Sequence, residues 1–86
     1  MSISFKLNFQ GKIKNFNHNR SEILEDVFLA ILKNLNLYAT TDPTVYSFTF
    51  GTKILNKQNH VKKKLGDVIR DNVTINLMTK KDMNYS

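Results

Sequence analysis

Apolar residues occupy every second position from Ile3 through Phe5 and Leu7 to Phe9, with Ser4, Lys6 and Asn8 between them. A period of two marks a strand with one buried face. Gln10 and Gly11 interrupt the pattern, and alternation resumes over residues 12–16, KIKNF, predicting a hairpin with Gly11 in the tight turn. Residues 17–21 are polar. Then Ile23, Leu24, Val27, Phe28, Ile31, Leu32 and Leu35 follow at steps of one, three and four, the apolar stripe of a helix. Asn19 with Glu22 three residues on, or Ser21 alone, is expected to cap it. Glu22, Glu25 and Asp26 suit its positive end and Lys33 its negative end.

Residues 37–44 hold the single proline, Pro43, and read as a connection. In the stretch YSFTFGTKIL, residues 46–55, Tyr46, Phe48 and Phe50 alternate with Ser47 and Thr49. That predicts a strand from residue 45, a turn at Gly51 and a short extension through Leu55. Residues 56–64 read as a lysine-rich loop, 65–69 as one helical turn, 73–77 as a last strand and 81–86 as a frayed tail. An aromatic-strand RNA-recognition module requires the order strand, helix, strand, strand, helix, strand. Too few residues separate the helix from Tyr46 for that extra strand, so the topology excludes the module.

The surviving order resembles ubiquitin and its β-grasp relatives. Residues 48–55, FTFGTKIL, are similar to ubiquitin's third strand, its glycine–lysine turn and the short strand after it. Leu65-Gly66-Asp67-Val68-Ile69 resembles the leucine-serine-aspartate-tyrosine turn whose leucine enters the core. Val73 to Leu77 resembles the final strand, and the hairpin at Gly11-Lys12 matches as well. The resemblance implies an α+β, ubiquitin-like β-grasp fold over residues 1–80. Its mixed sheet of four to five strands would pack on one helix in the order ββαββ. Ubiquitin-type modifiers end in paired glycines, whereas the glycines here are Gly11, Gly51 and Gly66. The resemblance therefore implies a member that is not conjugated.

Composition narrows the functional classes. The chain has 86 residues, 41% of them hydrophobic, enough for one small core. It has no cysteine, so neither a disulfide nor a thiolate metal site is expected. No apolar run approaches the roughly 20 residues of a membrane span. An intracellular setting is expected, in the cytoplasm or nucleus, with an organelle compatible. His18 and His60 both read as loop histidines without a partnering acidic cluster. No nucleophile lies in a triad context and no glycine-rich phosphate loop occurs. The chain is accordingly expected not to be an enzyme and to take no cofactor, metal or small-molecule substrate.

Thirteen Lys and Arg against seven Asp and Glu give a net charge of +6, which favours acidic partners. Alternation is expected to send Ile3, Phe5, Leu7, Ile13, Phe48, Phe50, Ile75 and Leu77 toward the helix. The opposite face would then carry Lys6, Asn8, Lys12, Lys14, Thr49, Asn76 and Lys80. By the resemblance, Thr49, Asn76 and Met78 replace the isoleucine, histidine and valine of ubiquitin's apolar patch, and Phe9 stands in for its leucine. These nine residues form the expected protein-binding face, basic and suited to an acidic protein surface. The expected role is an adaptor or docking subunit in a larger assembly. A nucleic-acid-binding accessory on RNA or the ribosome is the alternative.

Overall fold

The computed structural model describes residues 1–57 and 60–79. Lys80 and the tail expected over residues 81–86 lie outside the described residues. The elements run β1 (Ser2–Phe9), β2 (Lys12–Asn19), α1 (Leu24–Asn34), β3 (Tyr46–Phe50), β4 (Lys53–Ile54), α2 (Leu65–Val68) and β5 (Thr74–Thr79). The strands form one five-stranded sheet in the order β2-β1-β5-β3-β4. Its central pair, β1 and β5, is parallel, and the other three pairings are antiparallel. This is the expected α+β arrangement, a mixed sheet folded against one main helix.

The core lies between that helix and one sheet face. Ile3, Phe5 and Leu7 of β1, Phe48 of β3, and Ile75 and Leu77 of β5 meet Leu24, Val27, Phe28, Ile31 and Leu32 of α1. At the centre the rings of Phe28 and Phe48 stack with centroids 4.0 Å apart and planes 6° from parallel. Burying an aromatic side chain of this kind contributes about 1.5–3 kcal/mol.

The helix begins differently from the sequence expectation. Its N-cap is Ile23, with no side-chain hydrogen bond. The carbonyls of Lys63 and Val61 instead accept from Leu24 and Glu25 N–H at 2.8 and 3.0 Å, satisfying orphan donors of the first turn. Asn19, Ser21 and Glu22 do interact, but in the turn before the helix. Glu22 Oε2 accepts from Asn19 N–H at 2.9 Å, and Asn19 Oδ1 accepts from Ser21 N–H at 2.9 Å. At the other end Asn36 takes a left-handed φ of 59°, and Leu37 N–H donates to the Leu32 carbonyl at 2.9 Å. That is a Schellman closure with asparagine where glycine is usual.

The loop after β4 is more tightly built than its polar sequence predicts. Asn56 is buried. Its Oδ1 accepts from Phe48 N–H at 3.0 Å, and its Nδ2 donates to the Tyr46 and Thr41 carbonyls at 2.7 and 3.2 Å. One amide side chain thus continues the β3–β4 ladder after the β4 backbone turns away. Further on, Leu65 is fully buried, as the β-grasp resemblance implies, and its N–H donates to the Glu22 carbonyl at 2.8 Å. Gly66 N–H donates to the Arg20 carbonyl at 2.9 Å, and a Cβ on Gly66 would stand 2.9 Å from Arg20 Cβ. Only glycine permits this approach of the two segments.

Two substitutions test these anchors by urea unfolding. Leu65→Ala is expected to destabilise by about 2–5 kcal/mol, the usual range for a buried leucine truncation. Asn56→Ala is expected to lose roughly 1–3 kcal/mol by stranding buried backbone groups. Wild-type midpoints for both variants would mean that the loop is not packed against the core.

Candidate docking face of the sheet

Which side chains reach the open face depends on the β1–β2 turn. Gln10 and Gly11 have φ values of 53° and 78°, the two positive values of a two-residue type I′ hairpin turn. Phe9 therefore pairs with Lys12, Leu7 with Lys14, Phe5 with Phe16 and Asn8 with Ile13. Directly paired residues share a face. Odd positions on β1 consequently match even positions on β2, and the alternation expected for β2 is inverted.

Several expected placements are corrected by this register. Ile13, expected in the core, is on the open face and 56% exposed. Lys12 and Lys14, expected on the open face, lie on the helix side, where Lys14 Nζ donates to Asn34 Oδ1 at the end of α1. Phe9, expected on the open face, is partly buried and packs against the core, as does Phe16, whose ring stacks on Phe5 at 6.0 Å. Thr49 faces away from the helix as expected but is buried, not exposed. Phe50 keeps the expected helix-side parity yet is 43% exposed at the end of its strand. Of the expected lysines, Lys6 alone is placed on the open face among the described residues, so the basic cluster does not form there.

What forms instead is a row crossing all five strands. Ile13 pairs with Asn8, Asn8 with Asn76, Asn76 with Thr49, and Thr49 with Ile54. The row is apolar at both ends and polar in the middle. Met78, 37% exposed, stands beside Asn76 on the same strand face. A shallow depression of about 500 Å³ lies over Asn8, Asn76, Thr49 and Met78, bounded by the turn residues Gly11 and Gly51. At its floor Asn8 Nδ2 donates to Asn76 Oδ1 at 3.1 Å, while Asn8 Oδ1 is buried without a hydrogen-bond partner. A buried carbonyl left unpaired costs about 1–3 kcal/mol.

The two histidines occupy different settings. His18 is a β2 residue and not a loop histidine. Its Nδ1 shares a 3.0 Å hydrogen bond with Glu22 Oε2, and its ring stacks near Phe5 and Phe16. His60 lies in the loop after β4, with its pKa held below the ordinary histidine value. Desolvation is the larger cause, followed by the positive charges of Lys63, Lys53 and Lys57. Among the described residues no three His, Cys, Asp or Glu side chains gather as metal ligands.

The helix gripped by a mixed sheet, with a parallel central pair and a hairpin at each side, defines a β-grasp domain. Comparison with solved structures gives the same answer and places the fold among the ubiquitin-like domains. The ubiquitin-like domain of an Arabidopsis thaliana protein superposes with a TM-score of 0.73 at 14% identity, over 99% of this chain and 84% of that one. Caldiarchaeum subterraneum ubiquitin gives 0.70 at 14% identity, over 92% and 94%. A chain of the pParkin–pUb–UbcH7 complex gives 0.71 at 14% identity, over 91% of this chain but 23% of that one. At such identities the likeness is one of fold. No family model and no curated protein matches the sequence.

Proposed function

We propose that the chain is a non-conjugated ubiquitin-like protein-interaction module, an adaptor or docking subunit of a larger intracellular assembly. Its partner docks on the row from Ile13 to Ile54. The observation that carries this reading is the exposure of Ile13 and Met78 on the face whose depression is lined by Asn8, Asn76 and Thr49. A partner that covers the two apolar side chains and hydrogen-bonds to the polar groups between them removes exposed apolar area from water. Hydrogen-bond donors framed by apolar anchors are the chemistry of a protein surface. A solved relative of the same fold is part of a complex of proteins, pParkin–pUb–UbcH7, which supports an interaction role for the fold.

The partner chemistry differs from the basic-face expectation. Lys12 and Lys14 lie on the other side of the sheet, so an acidic partner is not what this face selects. Gly11 and Gly51 shape hairpin turns and Gly66 packs on Arg20, so each has a structural role within the fold. Binding, and not catalysis, is the proposed activity.

Affinity capture with the full chain tests the docking face. Ile13→Glu and Asn8→Leu are expected to lower recovery of specific partners by about tenfold or more, the effect of losing a central interface anchor. Lys33→Glu, on the exposed side of α1, is expected to leave recovery unchanged. Loss with Lys33→Glu and retention with Ile13→Glu would contradict the assignment. Incubation with ubiquitin-activating enzyme and ATP is expected to yield no thioester, and a thioester band would overturn the unconjugated reading.

A further inference from the structure

The positive charge that is missing from the open face is gathered elsewhere. Residues 53–64 contain five lysines and His60 with no Asp or Glu among them. Backbone hydrogen bonds tie the described residues of this segment together. His60 and Val61 N–H both donate to the Lys57 carbonyl, at 2.8 and 3.2 Å, and Lys63 N–H donates to the His60 carbonyl at 3.1 Å. Val61 is buried beneath them while Lys53, Lys57 and Lys63 stay exposed. Lys62 is drawn 3.7 Å from Glu25 on α1, and of the other four lysines Lys53, Lys57 and Lys63 are the ones whose charge acts at His60. Their summed field is felt at His60, whose proton they help to repel.

An exposed aromatic ring adjoins this charge. Phe50 is paired directly with Lys53 across the β3–β4 hairpin, so both side chains leave the sheet on the helix side. The core needs little from Phe50, which is 43% exposed although Phe48, two residues earlier, is fully buried. An exposed ring beside a lysine-rich segment supplies the elements of a single-strand nucleic-acid site, in which cations follow the phosphates and a base stacks on the aromatic. An acidic peptide would use the lysines but has no need of the ring.

We propose that the edge formed by Phe50, Lys53, Lys57 and Lys63 binds single-stranded nucleic acid. The lysines contact backbone phosphates and Phe50 stacks a base, without selecting sequence by base-edge hydrogen bonds. This surface lies on the helix side of the β3–β4 hairpin, whereas the Ile13–Ile54 row is on the opposite face. The two readings therefore stand or fall separately.

The test is fluorescence anisotropy of a labelled oligouridylate roughly ten nucleotides long, within the site size of small single-strand binders. Binding is expected to weaken steeply between about 50 and 200 mM salt, because phosphate contacts release counterions. Lys57→Glu combined with Lys63→Glu is expected to abolish it. Phe50→Leu keeps apolar bulk without a ring and is expected to weaken binding roughly tenfold through lost stacking. Ile13→Glu is expected to change nothing. In the complex the His60 ring, followed by NMR, is expected to titrate at higher pH than in the free protein, because bound phosphates offset the lysine charges that depress it. No oligouridylate binding would overturn the proposal. So would full affinity in Phe50→Leu together with equal displacement by polyglutamate, which would assign the edge to acidic proteins.

Discussion

Gln10 and Gly11 are the only residues between Phe9 and Lys12, and this brevity determines which chemistry the sheet presents. A two-residue turn pairs its flanking residues directly, so β1 and β2 must match odd positions to even ones. The buried side of β1 is beyond dispute, since Ile3, Phe5 and Leu7 all enter the core. Their partners His18, Phe16 and Lys14 then have to lie on the helix side, and Ile13 has to face outward. A turn one residue longer would invert β2, burying Ile13 and carrying Lys12 and Lys14 to the open face. The proposed docking row, with an apolar end at Ile13, has its composition because the turn is short.

A second constraint holds the rest together. Leu24, Glu25, Leu65 and Gly66 exchange backbone hydrogen bonds between the start of α1 and the segment leading into α2. The helix N-terminus is therefore capped by a distant part of the chain and not by its own side chains. Leu65 fills the core at the same junction, and Asn56 ties the start of the loop to β3. With both ends fastened, the loop between them can display lysines to solvent without loosening the domain. The stability of the fold and the location of its charge are linked through this one segment.

Much of this was legible in the residues. Alternation over β1, β3 and β5 and the stripe from Ile23 to Leu35 specified those three strands and the main helix, because burial of one face imposes its period on the sequence. Leu65 was legible through the β-grasp resemblance. The face of β2 was misread because its alternation is weak: one face offers Lys12, Lys14, Phe16 and His18, the other Ile13, Asn15, Asn17 and Asn19. Apolar content does not choose between them, whereas the Gln10-Gly11 turn does, and counting across it would have given the register. Asn56 carried no such signal. A polar residue in a polar stretch reads as solvent-exposed until its three hydrogen bonds to remote backbone groups are seen.

A partly apolar sheet face, proposed as the docking surface, lies opposite a basic, aromatic hairpin end. The docking assignment depends on the outward position of Ile13 and the helix-side position of Lys14. A nuclear Overhauser spectrum of the labelled protein measures this directly. Cross-peaks from the Ile13 methyls to the Asn8 side-chain amide, with Lys14 side-chain protons close to Asn34, are the predicted result. Cross-peaks from the Ile13 methyls to Leu32 and Leu35 of the helix region would contradict it and return the lysines to the open face.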